Sequence, residues 1–234
     1  MEDLKSKNLS FKKVMLITIF ITLFQLLGGP LHYYTFLSSI PHEINGITVW
    51  ENIWKIIWAS LAFVSMNYYN HELPISISEM FNFRKINFKF VIIVLSIVIL
   101  MDLSYSIVIY KNISIPADFN FIKSTINFFF VGLTEELIFR GWAMNAFSKV
   151  TSIRNANIIQ SVFFMLSHLL PYCLMLLMGW GTITDVPLSY LAMQLPYCIV
   201  IGCVYGRIVN KTHSLWTTVI MHCFGDVIAT MLHM

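Results

Sequence analysis

The sequence predicts an all-α membrane protein, a polytopic bundle of about seven transmembrane helices. Three observations predict it. Of the 234 residues, 57% are hydrophobic and only 12% charged, far more apolar surface than a soluble globule of this size needs to bury. Several apolar runs exceed the ~18 residues that mark a spanning helix. The basic residues fall at alternating ends of those runs, as in a chain threaded back and forth through a bilayer.

The candidate helices are residues 14–37, 48–69, 90–110, 121–147, 157–180, 187–209 and 212–233. The first follows four lysines and superficially suggests a secretory leader. Its run from Val14 to Leu37 is too long for one and lacks a small-residue cleavage site, so it reads as a span. Lys5, Lys7, Lys12 and Lys13 precede it. Arg84, Lys85 and Lys89 join spans two and three, Lys149 and Arg154 follow span four, and Arg207 and Lys211 join spans six and seven. The opposite ends carry Lys111 and Lys123, with Lys55 four residues after Glu51, where the pair can neutralise itself along a helix. The positive-inside rule then makes the N-terminus cytoplasmic and the C-terminus outside.

Residues 1–120 form an N-terminal part of three helices and residues 121–234 a part of four, with no repeat, low-complexity tract or soluble domain between them. The lipid bilayer is the expected surroundings. A net charge of +3, dispersed by side, excludes nucleic acid as a partner. Cys173, Cys198, Cys203 and Cys223 lie in apolar runs without paired spacing and read as small buried hydrophobes. Gly202 and Gly206 allow close helix approach. Pro171 removes a backbone donor and frees the Ser167 carbonyl beside His168, and Pro196 similarly interrupts span six. Nothing in the sequence sets an oligomeric state.

An ionisable residue in the middle of a span costs about 2.5–3.5 kcal/mol on insertion scales and needs a partner or a wet cavity. Glu135, Glu136 and Arg140 on span four, His168 on span five, and His222 and Asp226 on span seven form a concentrated set. At ~1.5 Å rise per residue, Glu135, His168 and His222 share one depth, which favours a common site. Successive helical residues point ~100° apart, so Glu136 is expected to pair with Arg140 one turn on while Glu135 faces the histidines from another face. His222 and Asp226 are likewise one turn apart. A carboxylate beside two imidazoles in a partly desolvated site suits activation of water, or metal binding. Two other readings use the same residues: a non-catalytic membrane regulator that binds partner proteins, and a proton or metal-ion transporter. A relay would string polar groups through the full bilayer, whereas these share one level. Asp102, at similar depth in span three, lines the cavity or makes a structural hydrogen bond.

Glu135-Glu136-Leu-Ile-Phe-Arg140 is an EExxxR motif, Phe164-Met-Leu-Ser-His168 an FxxxH motif, and His222-Cys-Phe-Gly-Asp226 an HxxxD motif, in order on three spans. In these the chain resembles the CPBP intramembrane proteases, also called Abi or CAAX prenyl-protease-like proteins. The resemblance covers residues 121–234. It implies an intramembrane catalytic cavity open to the cytoplasmic side, with Glu135 as general base, His168 positioning or polarising the water, and His222 with Asp226 lining the oxyanion side. Glu136, Arg140 and Phe164 would support the site. It further implies a bacterial cell membrane, a peptide or membrane-anchored protein substrate, and a role in peptide maturation, CAAX-type processing or bacteriocin self-immunity.

Asp226 departs from the asparagine of many eukaryotic relatives. An amide can donate to an oxyanion, whereas an ionised carboxylate only accepts. Asp226 is therefore protonated, orients His222, or ligates a cation. Glu135, His168, His222 and Asp226 could together supply ligands for zinc. No obligatory cofactor is expected, zinc being the alternative.

Overall fold

The computed structural model describes residues 8–233 apart from 108–110, 112–114, 118, 181, 183, 185 and 187. Lys5, Lys7, the end of the third predicted segment at 108–110 and the first residue of the sixth lie outside the described residues. Helices occupy all seven predicted segments, and the polypeptide between them is short.

The first segment begins as α1, Phe11–Phe24, capped by the Ser10 side chain, which accepts the Lys13 N–H. It tightens into a 3-10 turn over Gln25–Leu27 and resumes as α2, Gly28–Tyr34. Pro30 cannot donate to the carbonyl one turn earlier, and Gly28 and Gly29 precede it, which accounts for the break. An Asn45-Gly46 turn, both residues at positive φ, then closes a two-residue hairpin of β1 (Glu43–Ile44) and β2 (Ile47–Thr48). The all-α expectation omitted it, although Asn-Gly is a readable hairpin signal. Asn127 pins it, accepting from Thr48 N–H and donating to the Gly46 carbonyl.

Next comes α3, Val49–Tyr68, antiparallel to α1 and α2. Trp50, Trp54 and Trp58 recur every four residues and so share one face. Their indole N–H groups donate to the carbonyls of Gly28 (3.1 Å), Gln25 (3.1 Å) and Ile21 (2.6 Å). The ladder satisfies carbonyls beside the break in α1 and α2 while burying three large rings.

A short α4, Ile77–Met80, carries a capping box from Ser76 and Glu79. Helix α5 is Phe88–Tyr105. The fourth segment starts as α6, Phe121–Glu136, widens into a fully buried π-helical stretch over Leu137–Met144, and ends as α7, Asn145–Val150. Helices α8 (Ile153–Leu177), α9 (Leu188–Thr212) and α10 (Leu215–His233) complete the bundle.

Among the described residues, four stretches are long and apolar enough to cross a membrane: Phe11–His32, Ile153–Leu177, Leu191–Thr212 and Leu215–Leu232. With Leu16, Phe20, Ile92, Leu100 and Val200 more than half exposed, the outer surface is that of an integral membrane protein.

The predicted basic ends gather at one end of the bundle. There Phe11 meets Phe147 at 5.7 Å, Lys149 reaches Glu72 at 3.6 Å, and Glu79 contacts Lys85 at 3.0 Å and His213 at 3.6 Å. The Gly202 and Gly206 pair does what its spacing suggests. A Cβ at Gly202 would crowd Ser161, and one at Gly206 would collide with the Asn157 amide. Across that seam Asn157 donates to the Cys203 carbonyl and Gln160 to that of Gly202, both at 2.9 Å.

Candidate active site

The two glutamates end α6, where Gly132, one turn earlier, lets α10 approach. A Cβ there would sit 3.3 Å from Cys223 N, His222 Cβ and the Val219 carbonyl. This close crossing carries His222 to the glutamates. Arg140 follows in the π-helical stretch, its Nη1 2.9 Å from Glu136 Oε1, and both side chains are fully buried. The predicted pair is present. Its guanidinium also lies 4.5 Å over the Phe164 ring and 5.4 Å from the Tyr205 ring, so aromatic faces take up part of the charge.

The expected division of the glutamates holds in part: Glu136 takes Arg140 and Glu135 faces His222, but Glu136 reaches His222 as well. His222 Nδ1 lies 3.0 Å from Glu136 Oε1, and its Nε2 lies 3.5 Å from Glu135 Oε2. Imidazole carries nitrogens on two edges, so two neighbouring carboxylates can each meet one ring although they diverge along the helix. Glu136 thus spans Arg140 and His222, tying α6, the π-helical stretch and α10 together. Asp226 Oδ2 stands 3.7 Å from His222 Nε2, the contact that its one-turn spacing forecast. Of the three roles open to Asp226, orienting His222 is the one that this contact supports.

His168 is set apart. Its Nδ1 lies 2.9 Å from the Phe164 carbonyl, and its ring meets the Phe164 ring edge-on at 4.8 Å. Phe164 also meets His222 edge-on at 5.9 Å, so its ring contacts both histidines. Among the described residues no hydrogen bond joins His168 to Glu135, which meets one histidine instead of the expected two. The Ser167 carbonyl that Pro171 was expected to release is taken by the Gln25 side-chain amide at 3.0 Å. A polar residue at the break in the first helix therefore braces the turn that carries His168.

A cavity of about 400 Å³ reaches Glu135. It is lined by Gln25, Gly28, Gly29, His32, His42, Trp50, Glu51, Trp54, Lys55 and Trp58 as well. It lies towards the hairpin end of the bundle, opposite the gathered basic residues, whereas the resemblance implied an opening on the basic side. Glu51 also departs from its expected partner: it pairs with His42 at 3.1 Å, and Lys55 stands over the cavity instead.

The zinc set needs its donors to converge. Among the described residues no three His, Cys, Asp or Glu side chains are grouped to hold a metal ion. With Nδ1 of His222 held at Glu136 and Nδ1 of His168 at the Phe164 carbonyl, Glu135, His168, His222 and Asp226 do not form such a group in this arrangement.

Residues 116–228 match the family described as Type II CAAX prenyl endopeptidase Rce1-like. The three motifs all lie inside that match, and in the structure Glu135, Glu136, Phe164 and Asp226 from them lie against one buried histidine, His222. The match supports the CPBP/CAAX protease family for this segment. No curated protein and no solved structure matches the chain. The CPBP/CAAX family is one of intramembrane endopeptidases, which makes a protein substrate within the bilayer the general expectation here.

The family motifs do not include every residue around the site. Tyr205, 3% exposed and 5.9 Å from His222, carried no signal beyond its place in an apolar run. Gln25 is a neutral polar residue in an apolar run, with no motif around it. The three tryptophans were visible as a four-residue periodicity, which would have identified the contact face of α3.

Proposed function

We propose that this CPBP/CAAX family member is an active endopeptidase in which Glu135 activates the attacking water. The observation that carries the reading is the division of His222 between the glutamates: its Nδ1 is held by the buried Glu136–Arg140 pair, so Nε2 is fixed towards Glu135 at 3.5 Å. A base and a polar group fixed by a further hydrogen bond are the recurring pattern of an activated nucleophile.

Water held at Glu135 gives one proton to the carboxylate while its oxygen bonds to the scissile carbonyl carbon. The carbonyl electrons move onto oxygen, which the His222 edge of the site stabilises. As the carbon–nitrogen bond breaks, the proton on Glu135 passes to the leaving nitrogen, leaving a carboxylic acid and an amine. Asp226 steadies the imidazole, and His168, held at Nδ1 by the Phe164 carbonyl, polarises the water through Nε2. All seven helices span the bilayer in this reading, with the N-terminus on the cytoplasmic side and the C-terminus outside. The bacterial cell membrane is the setting, with CAAX-type processing or peptide maturation as the task and bacteriocin self-immunity as one outcome of it.

The test is to incubate purified protein in detergent with a library of apolar peptides and identify products by mass spectrometry. Wild type yields defined fragments, Glu135→Gln yields none, and chelation leaves the fragments in place. Equal yields from wild type and Glu135→Gln would overturn the proposal.

A further inference from the structure

The family match begins at residue 116 and assigns nothing to the first helical segment, yet one side chain of that segment reaches the turn that carries His168. Gln25 opens the 3-10 turn between α1 and α2. Its own carbonyl accepts from the Trp54 indole at 3.1 Å, and the neighbouring Phe24 ring stacks on that indole with centroids 5.1 Å apart. From this base on α3 the Gln25 amide crosses to α8 and donates to the Ser167 carbonyl at 3.0 Å. Within a helix that carbonyl would ordinarily accept the N–H of residue 171, one turn on, but residue 171 is Pro. Helix α8 nevertheless continues to Leu177. The bond from Gln25 thus replaces, from another helix, one that the sequence of α8 deletes.

The Ser167 carbonyl belongs to the peptide unit whose nitrogen is that of His168, so the plane that Gln25 holds is the plane from which His168 springs. Both side chains of that unit turn back onto the Phe164 carbonyl, Ser167 Oγ at 2.7 Å and His168 Nδ1 at 2.9 Å. A carbonyl only accepts, so Nδ1 carries the proton and Nε2 is the edge turned to the reaction. A tilt of the peptide plane would swing that edge. We propose that Gln25 is a positioning residue for His168: its amide locks the Ser167–His168 peptide, which Pro171 deprives of its helical donor, and so fixes the direction of the Nε2 edge. The inference rests on the reading of His168 as the group that polarises the attacking water.

Pro171 supplies the control. In Pro171→Ala the restored N–H donates to the Ser167 carbonyl from within α8, and the Gln25 amide becomes redundant. The experiment uses full-length protein in detergent with isotope-labelled histidine rings read by NMR, the His168 signal being assigned by its loss in His168→Gln. Gln25→Met keeps the length of the side chain and removes the donor. It displaces or broadens the His168 signal and lowers kcat about tenfold on an apolar peptide that wild type cleaves, with KM changed by less than about twofold. Adding Pro171→Ala to Gln25→Met returns signal and kcat to those of Pro171→Ala alone. A His168 signal indifferent to Gln25→Met, or an effect of equal size with and without Pro171→Ala, overturns the proposal. If Gln25→Met alone does not fold, the Pro171→Ala background decides. Equal signals and equal kcat with Gln or Met at position 25 support the brace there, and unequal ones overturn it. The expected change in signal in a protein that cleaves no peptide would defeat the protease reading and leave the brace standing. The same change with kcat unaltered would overturn the role of the brace in catalysis.

Discussion

The C-terminal half of the molecule holds the motif residues, whereas the N-terminal half builds almost all of the cavity before them. Glu135, Glu136, Arg140, Phe164, His168, His222 and Asp226 all fall within residues 116–228. Of the residues lining the cavity only Glu135 comes from that segment, and the rest come from α1 to α3 and the loop between α2 and α3. The first half is held by neutral hydrogen bonds from indoles to backbone, the second by a buried charge cluster. Hydrogen bonds tie the two halves at many points, among them Gln25 to the Ser167 carbonyl, Thr134 to the Lys55 carbonyl, Trp142 Nε1 to Thr18 Oγ1 at 3.1 Å, Asn127 to the hairpin, Asn145 to the Ile75 backbone and the Asn87 N–H to Thr217. The motif residues and the cavity lining thus come from different segments of one interlocked bundle.

The sharpest way to break this comparison is through the buried charges. Arg140→Met leaves the buried Glu136 carboxylate with His222 in place of a full ion pair, and the expected loss is about 3–5 kcal/mol. Thermal unfolding in detergent measures it, and Arg140→Met combined with Glu136→Gln should recover part of the loss. An unchanged midpoint for the single variant would mean that the pair does not organise the site.

The ladder should cost less. Trp58→Phe keeps an aromatic ring but orphans the Ile21 carbonyl, at about 1–3 kcal/mol. On a cleavable peptide its effect should fall on KM more than on kcat, because the ladder shapes the cavity and not the chemistry. A selective loss of kcat would contradict the division of labour.

Gly132→Ala tests the crossing that joins the glutamates to His222. The added methyl must push α10 by a few tenths of an ångström, with expected loss of about tenfold in kcat/KM, or about 1.4 kcal/mol, and a smaller effect on melting. Full activity would show that the spacing between Glu135 and His222 is not critical.

The smallest effect lies at the basic end. The Lys85 ammonium donates to Glu79, the Ser76 N–H adds a second bond, and the charges of Lys85 and His213 reinforce them, holding the Glu79 carboxyl below its ordinary value. A carboxyl lowered by folding contributes stability that is present above its unfolded value and lost as pH falls through its folded one. Glu79 is exposed, so the contribution is screened and slight. Melting midpoints taken from neutral pH downwards should fall less steeply for Glu79→Gln than for wild type. Identical slopes would remove Glu79 from the account.

Seven helical segments were legible because apolar runs between basic clusters leave few alternatives. The break at Gln25–Leu27 and the π-helical stretch were not, since both depend on what neighbouring helices donate or bury. The motif residues were legible because charges are costly in apolar helices. Their pairing was only half legible: one-turn spacing gave Glu136 with Arg140 and His222 with Asp226. That Glu136 also holds His222 depends on the crossing at Gly132, which no local pattern specifies. Lys55 was misassigned for the same reason, its helical partner Glu51 being drawn away by His42 from the loop.

The measurement that bears most directly on the central claim compares Glu135→Gln with Glu136→Gln, reading kcat/KM and melting midpoint on the same preparations. If Glu135 is the base and Glu136 the anchor, Glu135→Gln lowers kcat/KM by about 10²–10⁴ with its midpoint nearly unchanged, whereas Glu136→Gln lowers the midpoint clearly. Activity retained in Glu135→Gln, or the reverse assignment of the two effects, would contradict it.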